Sequence, residues 1–183
     1  MTRNWVIADN ARVKTESLAG AAGVHFHAKS LKSLAALQKV ASLGVPVEVH
    51  VLDRKPAELV HHFFLKGVCR ITVHAEALRA TAALQKIREA GLEAGLAFRP
   101  PANPMVMRLY SDLADCALVV LDENGFDQRA KEKVRVLREV FEKKVAVECA
   151  SIGDLNSAKA AGADEIACKP ALFVKAAHES DSQ

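Results

Sequence analysis

Three apolar runs, VHFHA, VEVHVLD and RITVHAE, carry His25, His27, His50 and His74 toward their C-terminal ends, and Glu76 follows His74 by two residues. Residues two apart on a strand share a face. His25 therefore projects with His27, His74 projects with Glu76, and His50 on the neighbouring run can approach the first pair. Imidazoles placed this way suit a divalent metal, zinc first and iron, cobalt or manganese less selectively. They also suit proton transfer near neutral pH, because histidine titrates at about 6.5. Interior histidines satisfied by hydrogen bonds are compatible with the same pattern. His61 and His62 fall in the helical pattern PAELVHHFFLKG and His178 in a polar tail, where packing or solvent accounts for them.

What must position these side chains is a regular cadence. Strand-like runs open at Val24, Val47, Arg70, Glu93 and Cys116, one every 23 residues, and further runs at 5–9, 144–150 and 164–172 bring the total to eight. Helical patterns are expected over 30–44, 56–67, 78–91, 103–115, 127–144 and 153–163, each with apolar residues at i, i+3, i+4 and i+7. Gly44, Gly67, Gly91 and Gly162 end helical stretches just before a strand, where glycine accepts the left-handed turn. Strand and helix alternating eight times predict an α/β fold, a (β/α)8 TIM barrel, whose functional groups sit at the C-terminal strand ends. No GxGxxG or GxxxxGK[ST] occurs, which argues against dinucleotide and P-loop sites. Such barrels run to about 250 residues, so this chain of 183 is expected to be one trimmed domain over 1–183, with the last helix short or missing and 178–183 a frayed tail.

Composition narrows the partners. The net charge of +3 comes from interspersed charges with no basic, aromatic strip, so no nucleic-acid partner is expected. No apolar run approaches the roughly 18 residues of a membrane span, and no secretory pattern opens the chain, so no membrane association and a cytoplasmic location are expected. Cys69, Cys116, Cys149 and Cys168 stand singly with no CxxC, as reduced core residues would. Exposed barrel faces and a shortened last helix predict a homo-oligomer.

The strings VEVHVLDRKP, ITVHAEA, GLAFRPP, ENGFDQ, VAVECA and AGADEIACKPALF, in that order, resemble ribulose-phosphate 3-epimerases of the ribulose-phosphate-binding barrel superfamily over nearly the whole chain. The resemblance implies one divalent metal ion, Zn, Fe, Mn or Co, at the positions of His25, His27, His50 and Glu148. In that family the positions of His27 and Glu148 hold aspartates, which also exchange the proton at the epimerised carbon from opposite faces. His27 and Glu148 are thus the expected catalytic pair. Four protein ligands would close the site, whereas catalysis needs a vacant position, so His27 is expected to stand off while Glu148 ligates. Glu48 is expected to face the interior and orient a ligand.

His74 and Glu76 would line the substrate pocket, and the same two residues also fit a buried pair that supports the barrel. Family members grip a phosphate with glycine-rich turns after the sixth, seventh and eighth strands. Here Gly125 is kept, while Cys149–Ala150 and Lys169–Pro170 stand at the other two turns. Lys169 and Arg99 can supply charge for a phosphate or carboxylate, or pair with carboxylates at the rim. The implied activity is a metal-dependent epimerase/isomerase of carbohydrate metabolism acting on a sugar or sugar phosphate, a ketose phosphate above all. The alternative is a non-catalytic or repurposed barrel that binds a metal or small ligand, since the glycine turns and the long loop after the second strand are missing. The Asp-x-Lys-x-x-Asp pattern of related decarboxylases is absent from VEVHVLDRKP.

Overall fold

The computed structural model of the chain describes residues 2–13 and 15–174. Its strands are β1 (Arg3–Ala8), β2 (Gly23–Ala28), β3 (Val47–Val51), β4 (Val68–His74), β5 (Glu93–Phe98), β6 (Cys116–Val119), β7 (Lys144–Cys149) and β8 (Glu165–Cys168). They pair in chain order, and β1 closes on β8, giving a parallel eight-stranded barrel. The helices are α1 (Leu34–Ala41), α2 (Pro56–Leu59), α3 (Ala80–Glu89), α4 (Gln128–Val140) and α5 (Ile152–Ala160). The fold is the expected (β/α)8 barrel.

Local chemistry accounts for the element ends. Ser151 and Asp154 form a reciprocal capping box at the start of α5, and Asp127 caps α4 by accepting from Ala130 N. Gly44, Gly67, Gly91 and Gly162 all adopt positive φ, as their places after helical stretches predict. Alternate strand residues then divide. Val24, Phe26, Val47, Val49, Ile71 and Val73 join the apolar layer beneath the helices, and the residues between them fill the barrel.

Three expected elements differ. The helix expected over 56–67 is α-helical only over Pro56–Leu59 and continues as a 3-10 turn, Val60–Phe63. The stretch 103–115 holds a 3-10 turn, Pro104–Leu109, and no α-helix. Met107 is buried and Val106, Tyr110 and Leu113 pack partly buried against the core, while Leu109 is 81% exposed, so the segment covers the barrel through short turns without an α-helix. The last strand stops at Cys168, short of residue 172, because a helical turn begins at Pro170, a residue suited to the first helical position. The tail 178–183 and His178 lie outside the described residues. Among those described, no helix is long and apolar enough to cross a membrane. Cys116, Cys149 and Cys168 are buried, Cys69 is partly so, and all are free thiols.

The barrel floor is charged. Arg70, fully enclosed, donates from Nη2 to Glu48 Oε2 (2.8 Å) and to Glu165 Oε2 (2.5 Å), and lies 5.1 Å over the Trp5 ring. Thr72 Oγ1 donates to Glu48 Oε1 at 2.5 Å. Gly95 makes room for Thr72, since a Cβ on Gly95 would overlap that hydroxyl. Gly95→Ala is therefore expected to destabilise the protein by about 1–3 kcal/mol through overpacking, which a urea titration would measure. A neutral result would mean that Thr72 repacks freely.

Candidate metal centre

Strand register brings the predicted histidines together. His25 pairs with Glu48 and His27 with His50 across β2 and β3, and His50 pairs with Thr72 across β3 and β4. The inward residues of β2, β3 and β4 then form tiers. By register His25, Glu48 and Arg70 form the deeper tier, His27, His50 and Thr72 form the next, and His74 lies one step nearer the C-terminal rim. Glu148, on β7, reaches in from the opposite wall.

These groups converge on one point. Glu148 Oε1 lies 2.7 Å from His50 Nδ1, 2.9 Å from His25 Nε2 and 3.4 Å from His27 Nε2. One ligand atom from each of the four residues lies within 4.8 Å of the other three. His27 and Glu148 are the more accessible members, with side chains 16% and 13% exposed, whereas His25 and His50 are sealed. The other oxygen of Glu148, Oε2, takes no hydrogen bond among the described residues.

The donor set fits a divalent metal. Each imidazole that turns one nitrogen to the centre has the other held from behind. His25 Nδ1 meets Glu48 Oε2 at 3.0 Å, His27 Nδ1 meets Asp9 Oδ1 at 2.8 Å, and His50 Nε2 meets His74 Nε2 at 3.0 Å. Ligating histidines are oriented in this way, because the far hydrogen bond fixes ring and tautomer and raises ligand basicity. Three ring nitrogens also crowd one carboxylate oxygen, more than it can accept well, and a cation among them would take all four groups as ligands.

Electrostatics points the same way. Burial pulls the His25 pKa down, but the Glu48 charge and the bonds to Glu148 and Glu48 outweigh it and push the value up to about 10. Both nitrogens of that ring face acceptors, so without a metal it is an imidazolium. Glu148 is held well below the usual carboxylate range: burial opposes this, and His50, His25 and His27 prevail. His50 is lowered by burial against the pull of Glu148. His74 is pushed down to about 3 by burial, then by the His50 and Arg99 charges.

The remaining predicted residues are placed as follows. Glu76 Oε1 lies 3.7 Å from His74 Nδ1 and 3.4 Å from Arg99 Nε, and Arg99 Nη2 approaches His74 Nε2 at 3.4 Å. His74, Glu76 and Arg99 line a cavity of about 300 Å³ together with Asp53 and Arg54. Gly125 faces Asp154, and Lys169 is exposed with no side-chain hydrogen bond or ion pair among the described residues. His61 and His62 stack on each other at the exposed surface, away from the cluster. Sequence reasoning missed Asp9. Its position just past β1, next to β2, was the available signal. Arg70 was also missed, although it stands two residues before Thr72 on the inward face.

Comparison with known proteins follows this geometry. The ribulose-phosphate 3 epimerase family profile matches residues 21–173. No curated protein matches the sequence. Among solved structures, the barrel is similar to the tryptophan synthase alpha-subunit of the hyperthermophile Pyrococcus furiosus. Two point mutants of that subunit, each with a glutamate replaced by alanine, superpose with TM-score 0.71 at 14% identity, covering 94% of this chain and 88% of theirs. A further structure of the subunit gives TM-score 0.68 at 15% identity with the same coverage. At that identity the likeness concerns the fold alone.

Proposed function

The chain belongs to the ribulose-phosphate 3-epimerase family, and from that premise we propose that it is a metal-dependent epimerase or isomerase acting on a sugar or sugar phosphate by moving a carbon-bound proton. The observation that carries this reading is the convergence of His25, His27, His50 and Glu148 within 4.8 Å at the C-terminal mouth of the barrel. Bound there, a divalent ion would supply charge to polarise a ketose carbonyl and stabilise the enediolate left when the proton departs.

The residues would divide the remaining work. His25 and His50, sealed and braced by Glu48 and His74, hold the ion. Glu148 turns Oε1 to the centre and keeps Oε2 free to take or return a proton. His27, held through Nδ1 by Asp9, presents Nε2 as the second proton carrier, in the manner of an imidazole oriented by a carboxylate. The cavity beside His74 offers hydrogen-bonding groups of both kinds, Arg54 and Arg99 with Asp53 and Glu76, to the hydroxyls of a polyol.

The 3.4 Å separation of His27 Nε2 and Glu148 Oε1 favours a second reading. If both ligate, four protein groups close the coordination sphere, and the barrel binds a metal without turnover.

One experiment separates the two. The protein is loaded with zinc, cobalt or manganese and incubated in heavy water with pentuloses, hexuloses and their phosphates. Deuterium incorporation next to the carbonyl, or epimerisation, is expected for at least one. Stoichiometric metal with neither process for any of them would leave only the binding role.

A further inference from the structure

The contact between His50 and His74 has room for a single proton. Their Nε2 atoms face each other at 3.0 Å, so one ring donates and the other accepts. Burial holds both rings neutral, and the direction of the bond is then set by what His50 Nδ1 faces. In the metal-free protein that atom lies 2.7 Å from Glu148 Oε1, an oxygen that only accepts, so Nδ1 carries the His50 proton. His50 Nε2 is bare, His74 Nε2 donates to it, and His74 Nδ1 is left without a proton.

With a divalent ion at the cluster, the lone pair of His50 Nδ1 is engaged and each assignment reverses. His50 Nε2 donates, His74 Nε2 accepts, and His74 Nδ1 bears the N–H. One proton leaves His50 Nδ1 and one arrives at His74 Nδ1, so the pair of rings keeps two protons and stays uncharged. Arg99 Nη2, 3.4 Å from His74 Nε2, can only donate, and it suits this second arrangement, in which that nitrogen is bare.

The change surfaces at His74 Nδ1. The side chain is 3% exposed, and this nitrogen is buried with no hydrogen-bond partner among the described residues. Glu76 Oε1 is 3.7 Å away, beyond a hydrogen bond. Both residues line the cavity of about 300 Å³, a volume at the small end for ligand sites. A hydroxyl placed between them brings one proton. In the metal-free protein it meets two acceptors, Nδ1 and the Glu76 carboxylate, and satisfies one. In the loaded protein it accepts from Nδ1–H and donates to Glu76, so both bonds form. A buried polar group left without its bond costs free energy, and the same hydroxyl therefore binds more tightly once metal is in place.

Resting on the reading that the cluster holds a divalent ion and the cavity takes a polyol, we infer that His74 couples the two sites: metal at the cluster turns its Nδ1 from acceptor to donor and so switches on recognition of a substrate hydroxyl beside Glu76. The coupling is reciprocal, and a hydroxyl in the cavity tightens the metal by the same factor.

The first measurement needs neither ligand nor turnover. Protein with isotopically labelled histidine nitrogens is compared by nuclear magnetic resonance with and without zinc. His74 Nδ1 is expected at the shift of a bare ring nitrogen in the metal-free form and of a protonated one in the zinc form, with Nε2 changing in the opposite sense. Zinc bound with the His74 pattern unchanged overturns this inference alone. No zinc bound at all removes the metal reading and this inference with it.

The second measurement titrates xylitol, a neutral polyol, into both forms and follows the Ala77 amide, which borders the cavity. Zinc should tighten xylitol about tenfold, within the range usual for coupled sites. In Glu76→Ala, at an exposed position, the hydroxyl has only His74 to satisfy and can do so in either form, so the zinc effect should shrink below about twofold. His74→Phe should bind zinc and lose the effect as well, and if that variant misfolds Glu76→Ala still decides. Xylitol affinity that is absent or equal in the two wild-type forms overturns the proposal, as does a zinc effect that persists in Glu76→Ala because the polyol sits on the metal itself. Coupled binding without deuterium exchange in any ketose would sink the catalytic reading and leave the coupling standing.

Discussion

Alanine at His25 is expected to cost the protein more than about 100-fold in affinity for zinc or cobalt, beyond the roughly 10- to 100-fold that loss of an outer partner costs. His25 is the most deeply set of the four converging residues, enclosed at 0% exposure, with its Nε2 at the centre and its Nδ1 on Glu48. Glu48→Gln tests the support separately. It keeps the shape but removes the charge behind the ring, and should fall within that 10- to 100-fold range. Competition against a chromogenic chelator, with elemental analysis of the purified proteins, measures both. Equal metal content and affinity in wild type and His25→Ala would reduce the cluster to a hydrogen-bonded interior.

The pH dependence has a definite sign. With its pKa pushed from 6.5 to about 10, His25 stabilises the metal-free fold. Because the folded value is the raised one, that contribution is complete below about pH 6.5 and is lost as the pH rises through about 10. Metal affinity runs the other way, since a ligand nitrogen must first release its proton. Binding should therefore tighten with rising pH across the neutral range and release protons to the buffer, which calorimetry in buffers of different ionisation enthalpy would show.

Arg70→Ala should be the most damaging change for stability. The guanidinium is sealed, holding Glu48 of β3 and Glu165 of β8 from the strand between β3 and β5, with the Trp5 ring beneath it. Removing it leaves Glu165 buried without its cation and Glu48 with His25 alone, a cost of about 3–5 kcal/mol. At about 2–4 °C per kcal/mol for a chain of this size, the melting temperature should drop by roughly 10 °C. Arg70→Lys keeps the charge that Nη2 brings to both carboxylates but loses the planar group over Trp5, and should lose less than Arg70→Ala. A drop of only a degree or two in Arg70→Ala would show that water replaces the bridge. Acid acts on the same network. Burial raises the Glu48 pKa, but Arg70 and then His25 hold it well below the usual carboxylate range. This contribution is present above the ordinary value of 4.5 and is lost as the pH falls below it.

Much of the barrel could be read in the chain because βα units repeat their own rules. The 23-residue cadence, the apolar spacing of Leu37 and Val40, and the glycines at helix ends are local signals, and each corresponds to an element in the structure. The segment 103–115 was misread because apolar residues at helical spacing do not distinguish an α-helix from short turns that cover the same core: Val106, Met107, Tyr110 and Leu113 pack inward without one, and Leu109 is left 81% exposed. At the site, the alternation of β2 and β3 was enough to put His25, His27 and His50 on one side, whereas the place of Glu148 came from resemblance to a family.

By itself, then, the sequence determined the period of the fold, the inward face of each strand and the presence of histidines at the rim, since those follow from backbone geometry within about 25 residues. Closure of the barrel decided the rest. Glu148 meets His25 across 123 positions, Arg70 meets Glu165 across 95, Asp9 braces His27, and Asp154 takes N–H groups from a turn 28 residues away. Such contacts depend on how far eight staggered strands bring their ends around a circle. A side chain's partner across that circle is set by the register of every strand between them, which no local pattern records.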